Sequence, residues 1–415
     1  MTKERLWTPA FVINMGLNFV YYFAYYMLTV IIGTVSIVEM HATTAMAGFL
    51  SGIFILGGFV GRLWIGSVIG RLGAKKSLYI GSLIFLFFTF PYYVVHNALL
   101  MLALRFLHGI GFGIAATASG ALAGMIVPAS RRGEGIGYYA LSVTMASAIG
   151  PFLSIFLYHA YGFSVLIDLA LALSVAALIG IFFLKMPANL VSADKTSSQK
   201  LPADKKTRGL SAFIEKKALP IAGVGFLVGI VYSSVLTFMA GYSASIHLVS
   251  AGSLFYVIYA VFILLSRPIA GRLFDQRGEN FVLYPAFLLL GLSLLVTGLS
   301  TNTAMLLSAG ALLGLGYGSF PPFGQSVAIR EAGIARVGMA TSTFYGLLDI
   351  GVGLGPLILG LVEPSVGYRG MYFLAAAFVF VIIILYFSVH GRFQKSWYRR
   401  FIKAKMRHQQ HKSKS

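Results

Sequence analysis

Two ionisable residues lie inside long apolar stretches of this sequence, where a charge is costly unless it has a partner or a function. Asp349 lies in the middle of the stretch Gly338 to Val362, and Arg105 lies in the stretch Leu99 to Val127. An apolar environment favours the neutral form of a carboxyl group, so a carboxyl at that depth can take up and release a proton. Asp349 is therefore our first candidate for proton exchange. The alternative is a carboxylate held by hydrogen bonds as a structural strut.

Arg105 is a second intramembrane charge of functional interest, and Asp168 is a further candidate for proton exchange. Arg105 would otherwise belong to a structural ion pair. Asp168 lies about one turn inside the stretch Phe163 to Leu184, at a depth close to that of Arg105. A pair between the two is one interpretation, and a carboxylate at the membrane interface is the one we favour.

The composition predicts a membrane protein with many spans. The chain has 415 residues, of which 58% are hydrophobic and 11% charged, and its mean hydropathy is +0.84. A soluble domain carries about 25% charged residues. Apolar stretches of about 20 residues, long enough to cross a bilayer, recur along the chain. The chain has no cysteine, which excludes disulfides and thiolate metal sites, and we expect no metal or other cofactor.

The net charge of +20 reflects topology and does not indicate nucleic acid. Apart from Arg105 and Arg369, the Lys and Arg residues fall in the loops and tails of one side, or at the helix ends that face it. This asymmetry predicts that both termini are cytoplasmic in a multi-pass protein of the cell or inner membrane.

Twelve spans are predicted, six in each half. The first six cover about Pro9–Gly33, Ala45–Ile69, Ser77–Val95, Leu99–Val127, Ile136–Ala160 and Phe163–Leu184. The second six cover about Ala218–Tyr242, Ala251–Phe274, Phe281–Ser300, Thr303–Ile329, Gly338–Val362 and Gly370–Val389. The predicted domains are a first six-helix bundle (1–185), a cytoplasmic linker (186–217), a second bundle (218–389) and a basic tail (390–415).

The two halves repeat each other with an offset of 205 residues. Arg62 aligns with Arg267, Gly66 with Gly271, Gly73 with Gly278, and Gly150-Pro151 with Gly355-Pro356. Arg105 aligns with Gly310, so the architecture does not require an arginine there. In the tail, Phe393, Trp397 and Phe401 recur every fourth residue among Lys and Arg. Either a short helix on anionic lipid or a disordered tail accounts for that spacing.

With its duplicated six-helix plan, the sequence resembles the major facilitator superfamily over essentially its whole length. The family's loop signature, G-x-L-x-D-R-x-G-R-K, is present in two copies. The first copy runs from Gly66 through Arg71 and Gly73 to Lys76, and the second runs from Gly271 through Asp275 to Gly278. The resemblance implies that these loops gate the cytoplasmic side, with the Asp facing a helix N-terminus of the other half. Gly70 replaces the Asp in the first copy, which leaves Asp275 as the carboxylate of this kind. The alternative is that both loops only turn the chain.

Two further motifs bear on coupling and direction. The segment from Arg105 to Gly113 resembles the R-x-x-x-G-x-G signature of proton-coupled members, which implies a coupling role for Arg105. Gly150-Pro151 and Gly355-Pro356 resemble the G-P kink that marks exporters in the family. The copy in the first half is imperfect, and we favour export over import.

The resemblance also implies a central cavity lined by the first, fourth, seventh and tenth helices. Polar and aromatic residues at helical spacing along these helices and beside Asp349 predict an aromatic, mostly neutral site for amphipathic ligands. The candidates are Asn14, Asn18, Tyr21, Tyr22, Tyr25, His108, Ser233, Thr237, Tyr317, Gln325 and Tyr345. The alternative is that these side chains only satisfy one another between packed helices.

The sequence thus predicts a monomeric, non-enzymatic transporter that exports small drugs or metabolites, with the proton gradient as its driving force. The alternatives are a proton-coupled importer of a sugar, organic acid or other nutrient, and a membrane receptor or scaffold that moves no ligand. An ATP-driven pump is disfavoured because the nearest approach to a phosphate-binding loop, Gly70 to Ser77, has Lys75 where the second glycine is needed.

Overall fold

The computed structural model describes residues 5–128, 131–184, 214–333 and 336–393, and within these ranges it contains helices and turns but no strand. The helices of the first half are α1 (Pro9–Met40), α2 (Thr44–Leu72), α3 (Ala74–Thr89), α4 (Ala98–Ile126), α5 (Arg132–Tyr161) and α6 (Phe163–Phe183). Those of the second half are α7 (Leu219–Ser245), α8 (Val249–Arg277), α9 (Asn280–Leu299), α10 (Thr303–Gly316), α11 (Phe320–Ala332) and α12 (Val337–Val389). The prediction of an all-α membrane protein is confirmed for this part of the chain.

Ten helical stretches of the described residues are long and apolar enough to cross a membrane. One of them joins α10 and α11 through a 3-10 turn at Tyr317–Ser319. Helix α3 has only 16 residues and continues into a 3-10 turn over Phe90–Tyr93. Helix α12 has 53 residues, and Gly367 interrupts it with a left-handed φ of 69°. The backbone of Gly367 is not helical (φ 69°, ψ 171°), so α12 consists of two helices that meet there, between the predicted eleventh and twelfth spans.

Short polar residues begin several helices. Thr8 accepts a hydrogen bond from Phe11 N at 3.2 Å, and Asn97 and Asn302 start α4 and α10 in the same way. Helix α1 ends at Met40 and not at the predicted Gly33, because the chain meets no proline there and stays largely apolar. His41, with a left-handed φ of 52°, then terminates the helix.

The two ends of the bundle differ in charge. We call the end with the α2–α3 and α8–α9 turns the basic end, because Arg71, Lys75 and Arg277 lie there, and the other the opposite end. Gly73 and Gly278 make these turns with φ of 82° and 85°, which side chains rarely adopt. The repeated glycine of the loop signature is thus explained by backbone geometry.

The two halves pack closely through small residues near the opposite end. A Cβ atom added to Gly48 or Gly52 of α2 would overlap the carbonyl oxygen of Pro356 or Gly353 in α12. Further along α2, toward the basic end, a Cβ added at Gly66 would meet nothing within 4 Å. The glycine contacts that meet backbone atoms across α2 and α12 therefore lie toward the opposite end, whereas Gly346, nearer the basic end, faces only the Phe59 side chain.

Glycines also set the packing inside the first half. A Cβ atom at Gly109 would overlap the carbonyl oxygen of Phe54, and one at Gly113 would overlap that of Gly58. These contacts join α4 to α2. Helix packing thus accounts for the glycine-rich stretch of α4, as the sequence predicts.

This close packing gives a direct test of stability. Gly109→Ala is expected to destabilise the fold by about 1–3 kcal/mol, because the new methyl group needs room that the α2 backbone occupies. Gly124→Ala is the matched control, since a Cβ added there meets nothing within 4 Å. The measurement is the thermal unfolding midpoint of the purified protein in detergent. Equal midpoints for the two variants would contradict the packing argument.

Most of the predicted linker (186–217) lies outside the described residues, which resume at 214. The proposed amphipathic helix of the tail lies outside them as well, apart from residues up to Phe393.

Candidate functional site

An ion pair joins the two halves between the middle of α2 and the part of α12 that precedes Gly367. Arg62 Nη1 of α2 donates to Asp349 Oδ2 of α12 at 2.5 Å, and the two side chains are 28% and 21% exposed. Arg62 Nη2 also lies 3.5 Å from the hydroxyl oxygen of Tyr22. Asp349 therefore serves as the counter-ion of an arginine from the other half. A proton on its carboxyl group would remove the charge that this contact needs.

The internal repeat places a second arginine at the equivalent position of the other interface. Arg267 of α8 is Arg62 shifted by 205 residues, and its Nη2 donates to Thr144 Oγ1 of α5 at 3.2 Å. Thr144 in turn aligns with Asp349, since 349 − 144 = 205. The two interfaces are thus the same contact used twice. One has a carboxylate as acceptor and the other has a hydroxyl.

Aromatic side chains surround these contacts. Tyr25 stacks on Phe54 and Phe112, with ring centroids 5.5 and 5.2 Å apart. Tyr232 of α7 stacks on Tyr317, which follows α10, with centroids 3.7 Å apart. Stacked aromatic side chains thus lie near these contacts on both halves.

Tyr345 and Gln325 form a polar group beside the ion pair. The Tyr345 hydroxyl donates to Gln325 Oε1 at 3.4 Å, and Gln325 Nε2 donates to Thr341 at 3.2 Å. Tyr345 lies one turn before Asp349 in α12, within electrostatic reach of both Arg62 and Arg267. It is a predicted cavity residue that lies within electrostatic reach of both interface contacts.

Three of the predicted cavity residues on α1 bond inside the first half instead. Asn14 donates to the carbonyl oxygen of Ser119 at 2.9 Å, and Asn18 donates to Ser142 at 2.8 Å. Tyr21 lies 2.5 Å from the Ser82 hydroxyl. All three side chains are buried, so their geometry matches the alternative interpretation of polar groups that satisfy one another. Tyr22 and Tyr25 are the α1 residues that lie near Asp349.

Arg105 is fully buried within the first half. Its Nε donates to the carbonyl oxygen of Leu50 at 2.5 Å, and Nη2 donates to Thr29 at 3.2 Å. The guanidinium also lies over the Phe54 ring, 5.1 Å from its centroid. The backbone of α2 and a hydroxyl of α1 thus hold the charge.

His108 shares Tyr92 as a hydrogen-bond partner with Arg105, whereas Asp168 bonds to Tyr93. His108 is buried, 3.1 Å from each of the Thr89 and Tyr92 hydroxyls. Asp168 accepts a hydrogen bond from Tyr93. The described partners of Arg105 do not include Asp168, so these two residues do not form the pair considered from the sequence.

The two predicted cavity residues on α7, Ser233 and Thr237, lie where α7 packs against other helices. Ser233 Oγ donates to the Ile230 carbonyl oxygen at 2.7 Å, next to the position a Cβ of Gly355 would take. Thr237 contacts the region of Gly33 in α1, and its hydroxyl is buried without a hydrogen-bond partner. Thr237 therefore lies where α7 of the second half meets α1 of the first.

The residues predicted to gate the transporter differ in whether they contact the other half. Pro356 contacts the other half through Gly48, whereas Gly150 packs on α1 of its own half, where an added Cβ atom would lie 3.0 Å from the Phe23 carbonyl oxygen. Pro151 lies inside α5, and Arg71 is in the last turn of α2. Gly271 has open space around it, and the side chain of Asp275 is outside the described part of the structure.

A salt-bridge cluster holds the basic end of the second half. Glu279, in the α8–α9 turn, accepts hydrogen bonds from Arg330 at 2.8 and 2.5 Å and lies 3.1 Å from His390 Nε2. Burial alone would raise the pKa of Glu279, but the hydrogen bonds from His390 and Arg330 outweigh it and lower the pKa to about 2. This carboxylate stays charged and fixes the turn that follows Asp275.

The position of Arg62 and Arg267 between the halves was missed by the sequence analysis, which placed both at helix ends on the basic side. Both side chains instead lie between the halves. The repeat contained the signal: the offset that aligns Arg62 with Arg267 also aligns Thr144 with Asp349. Which residues meet across the halves, however, depends on how the helices cross.

Comparison with known proteins places this architecture among transporters. The family model described as the Major Facilitator Superfamily matches residues 15–296 and 221–401. The staphylopine export protein of Staphylococcus aureus is 26% identical over 372 residues, which cover 84% of this chain and 88% of that protein. The multidrug resistance protein MdtG of Enterobacter lignolyticus is 29% identical over 177 residues, 41% of this chain and 42% of the relative.

Solved structures show the same fold. A variant of the nucleoside transporter NupG superposes with a TM-score of 0.76 at 14% identity, over 92% of this chain and all of that chain (100%). A POT family transporter bound to a thioalcohol-conjugated peptide superposes with a TM-score of 0.72 at 15% identity, over 91% of this chain and 96% of that one. With ten membrane-length helices, an ion pair between two repeated halves and a family match along most of its length, this chain is an integral membrane transport protein of the Major Facilitator Superfamily.

Proposed function

We propose that this protein is a proton-coupled secondary transporter that exports small molecules by alternating access. The observation that carries the proposal is the Arg62–Asp349 ion pair, because it links a group that can bind a proton to the contact between the two halves. The proton gradient is the driving force, and no other cofactor takes part. The transporter acts as a monomer, with a small-molecule substrate and with anionic lipid at its basic tail.

The topology proposed has twelve spans in two six-helix bundles. Helix α3 with its 3-10 turn makes the third span, and the kink at Gly367 divides α12 into the eleventh and twelfth. The basic end and both termini then face the cytoplasm, and the protein lies in the cell or inner membrane. Since the glycine contacts between α2 and α12 lie toward the opposite end, the halves are closed on the outside and the cavity opens inward.

In this inward-open state, the ionised Arg62–Asp349 pair corresponds to the step of the transport cycle after proton release. Arg62 stabilises the charged carboxylate of Asp349, which favours loss of the proton to the cytoplasm while the cavity is open to substrate. When the opposite end opens, Asp349 takes a proton from outside and substrate leaves. The gating loops around Gly73 and Gly278 would then close the cytoplasmic side.

The other candidates for proton coupling would act indirectly, through the packing of the helices that contain them. Arg105 and Asp168 bond within the first half, so a part in proton coupling would pass through the packing of α1, α2 and α4. Tyr22, Tyr25, Tyr317, Gln325 and Tyr345 remain the proposed substrate contacts. Asn14, Asn18 and Tyr21 would support the helices beneath them.

The direction of transport is supported by the relatives. One that aligns with most of this chain is named an export protein, and another that aligns with part of it is named a multidrug resistance protein. The Gly-Pro pair of α12, which contacts α2 across the halves, fits the exporter motif that the sequence resembles.

The test uses purified protein in liposomes with an imposed pH gradient and an internal pH dye. Aromatic acids, aromatic amides and aromatic amines are added one at a time, and protein-free liposomes are the control. We expect at least one compound to evoke proton movement opposite to its own, as an exporter by proton exchange requires. Proton movement in the same direction as the compound would indicate import. Compound movement that does not change when the gradient is dissipated would overturn proton coupling.

A further inference from the structure

The two equivalent contacts between the halves carry different charges. Arg62 faces the carboxylate of Asp349, whereas Arg267 faces only the hydroxyl of Thr144. The Nε atom of Arg267 is also buried without a hydrogen-bond partner. The three charged groups at these contacts, Arg62, Asp349 and Arg267, sum to +1. One interface is neutral and the other has an arginine whose charge no described residue at the contact balances.

The acidic residues of α5 and α8 lie two or more helical turns along the chain from this contact. Asp275 is eight residues further along α8, or about 12 Å at 1.5 Å per residue. Glu134 is ten residues before Thr144 on α5, about 15 Å away along that helix. Neither occupies the position that aligns with Asp349, which is Thr144.

Closure of the basic end makes this charge expensive. While the cavity is open there, water can solvate Arg267 from the cytoplasmic side. Packing α5 against α8 over this residue would remove that water and leave a guanidinium in an apolar interface, which costs several kcal/mol. An anion bound at Arg267 would supply the missing charge and the missing acceptor together.

We propose that Arg267 binds an anionic group of the substrate, and that the preferred substrates carry a carboxylate or similar anion beside an aromatic or apolar body. The proposal rests on the proposed function, and it specifies the substrate class of the same site. The hydroxyls of Tyr259 and Tyr345 lie within electrostatic reach of Arg267 and provide the apolar and polar surroundings such a ligand needs. The expectation of a mostly neutral cavity is therefore revised to a cationic one.

Benzoate is the probe, and benzamide is its neutral counterpart of nearly the same shape. The thermal unfolding midpoint of purified protein in detergent is measured against increasing concentrations of each, because a ligand that binds the folded state raises the midpoint. Benzoate is expected to raise the midpoint of the native protein, and benzamide to have a much smaller effect.

The variants separate charge from fold. Arg267→Gln is expected to weaken benzoate binding at least about tenfold, since a charge-assisted hydrogen bond is lost. Arg267→Lys keeps the charge and should retain part of the affinity. Arg272→Gln, at an exposed position one turn further along α8, is the matched control and should bind benzoate as the native protein does.

The repeat also allows a gain-of-function variant. Thr144→Asp rebuilds the Arg62–Asp349 arrangement at the second interface, so it should raise the midpoint without ligand and abolish the response to benzoate. In the Arg267→Gln background the same change should not raise the midpoint. The proposal is overturned if benzoate does not shift the native protein, if benzamide acts equally well, or if Arg267→Gln leaves the benzoate response unchanged.

Binding in detergent needs neither a gradient nor transport, so this test is independent of proton coupling. A protein that binds benzoate through Arg267 but shows no proton exchange would refute the proposed coupling and keep the anion site. A protein that exchanges protons but gives equal responses to benzoate and benzamide would refute the anion site and keep the proposed coupling.

Discussion

Asp349→Asn is expected to reduce substrate-evoked proton flux to the level of protein-free liposomes. The amide keeps the shape and one hydrogen-bond acceptor of the carboxylate, but it cannot bind and release a proton. The contact with Arg62 would persist as an ordinary hydrogen bond, so the fold should be retained with a loss of about 1 kcal/mol or less for this partly exposed pair. Substrate binding should survive while its coupling to protons does not.

The measurement is the response of an internal pH dye in liposomes that carry equal amounts of native or variant protein. Glu331→Gln is the matched control, because this carboxylate is 42% exposed near the end of α11 and pairs with Arg330 of the same helix. Arg62→Gln is informative in a different way: it retains the carboxylate that carries the proton and should keep part of the coupled flux. Full coupled flux in Asp349→Asn would show that Asp349 is a structural strut.

Gly52→Leu is expected to prevent the opposite end from closing and to stop transport. Even a Cβ at this position overlaps the Gly353 carbonyl oxygen, so a leucine must push α2 and α12 apart. Overpacking of this kind costs about 1–3 kcal/mol, and here the cost falls only on the state in which these helices touch. A difference of that size shifts the balance between the two states by about 5–150-fold.

The shift can be read by chemical labelling, since the native chain has no cysteine. Thr237→Cys introduces one thiol at the buried contact between α7 and α1. A membrane-impermeable maleimide added to intact cells should label it slowly in the native background and faster in the Gly52→Leu background. Gly16→Leu is the control, since a Cβ at Gly16 meets nothing within 4 Å. Equal labelling rates in the Gly52→Leu and Gly16→Leu backgrounds would contradict the closed opposite end.

Local features of the fold could be predicted from the sequence because they depend on neighbouring residues. Membrane length follows from uninterrupted apolar stretches, and the caps at Thr8 and Asn97 follow from side chains that reach the next turn. The turns at Gly73 and Gly278 follow from a backbone angle that glycine adopts at little cost. The boundaries were less accurate where no stop signal exists, as in α1, which continues to Met40.

The candidate site was predicted only in part. Asp349 was identified from its depth in an apolar stretch, and that reasoning needed no knowledge of its neighbours. Asn14 and Asn18 share a helical stripe with Tyr22 and Tyr25, yet the structure turns the asparagines toward α4 and α5. Periodicity shows which residues share a face, but it does not show which neighbour that face meets.

The sequence by itself determined that this chain crosses the membrane repeatedly, that its halves are related by a 205-residue repeat, and that Asp349 is the ionisable group of interest in α12. Only the tertiary structure decided what that group contacts. Arg62 and Asp349 are 287 residues apart, and Arg267 and Thr144 are 123 apart. The physical reason is that contacts between the halves depend on the crossing of α2 with α12 and of α5 with α8. The crossing of α2 with α12 is set by close packing of small residues across the interface, which no local pattern in either helix specifies.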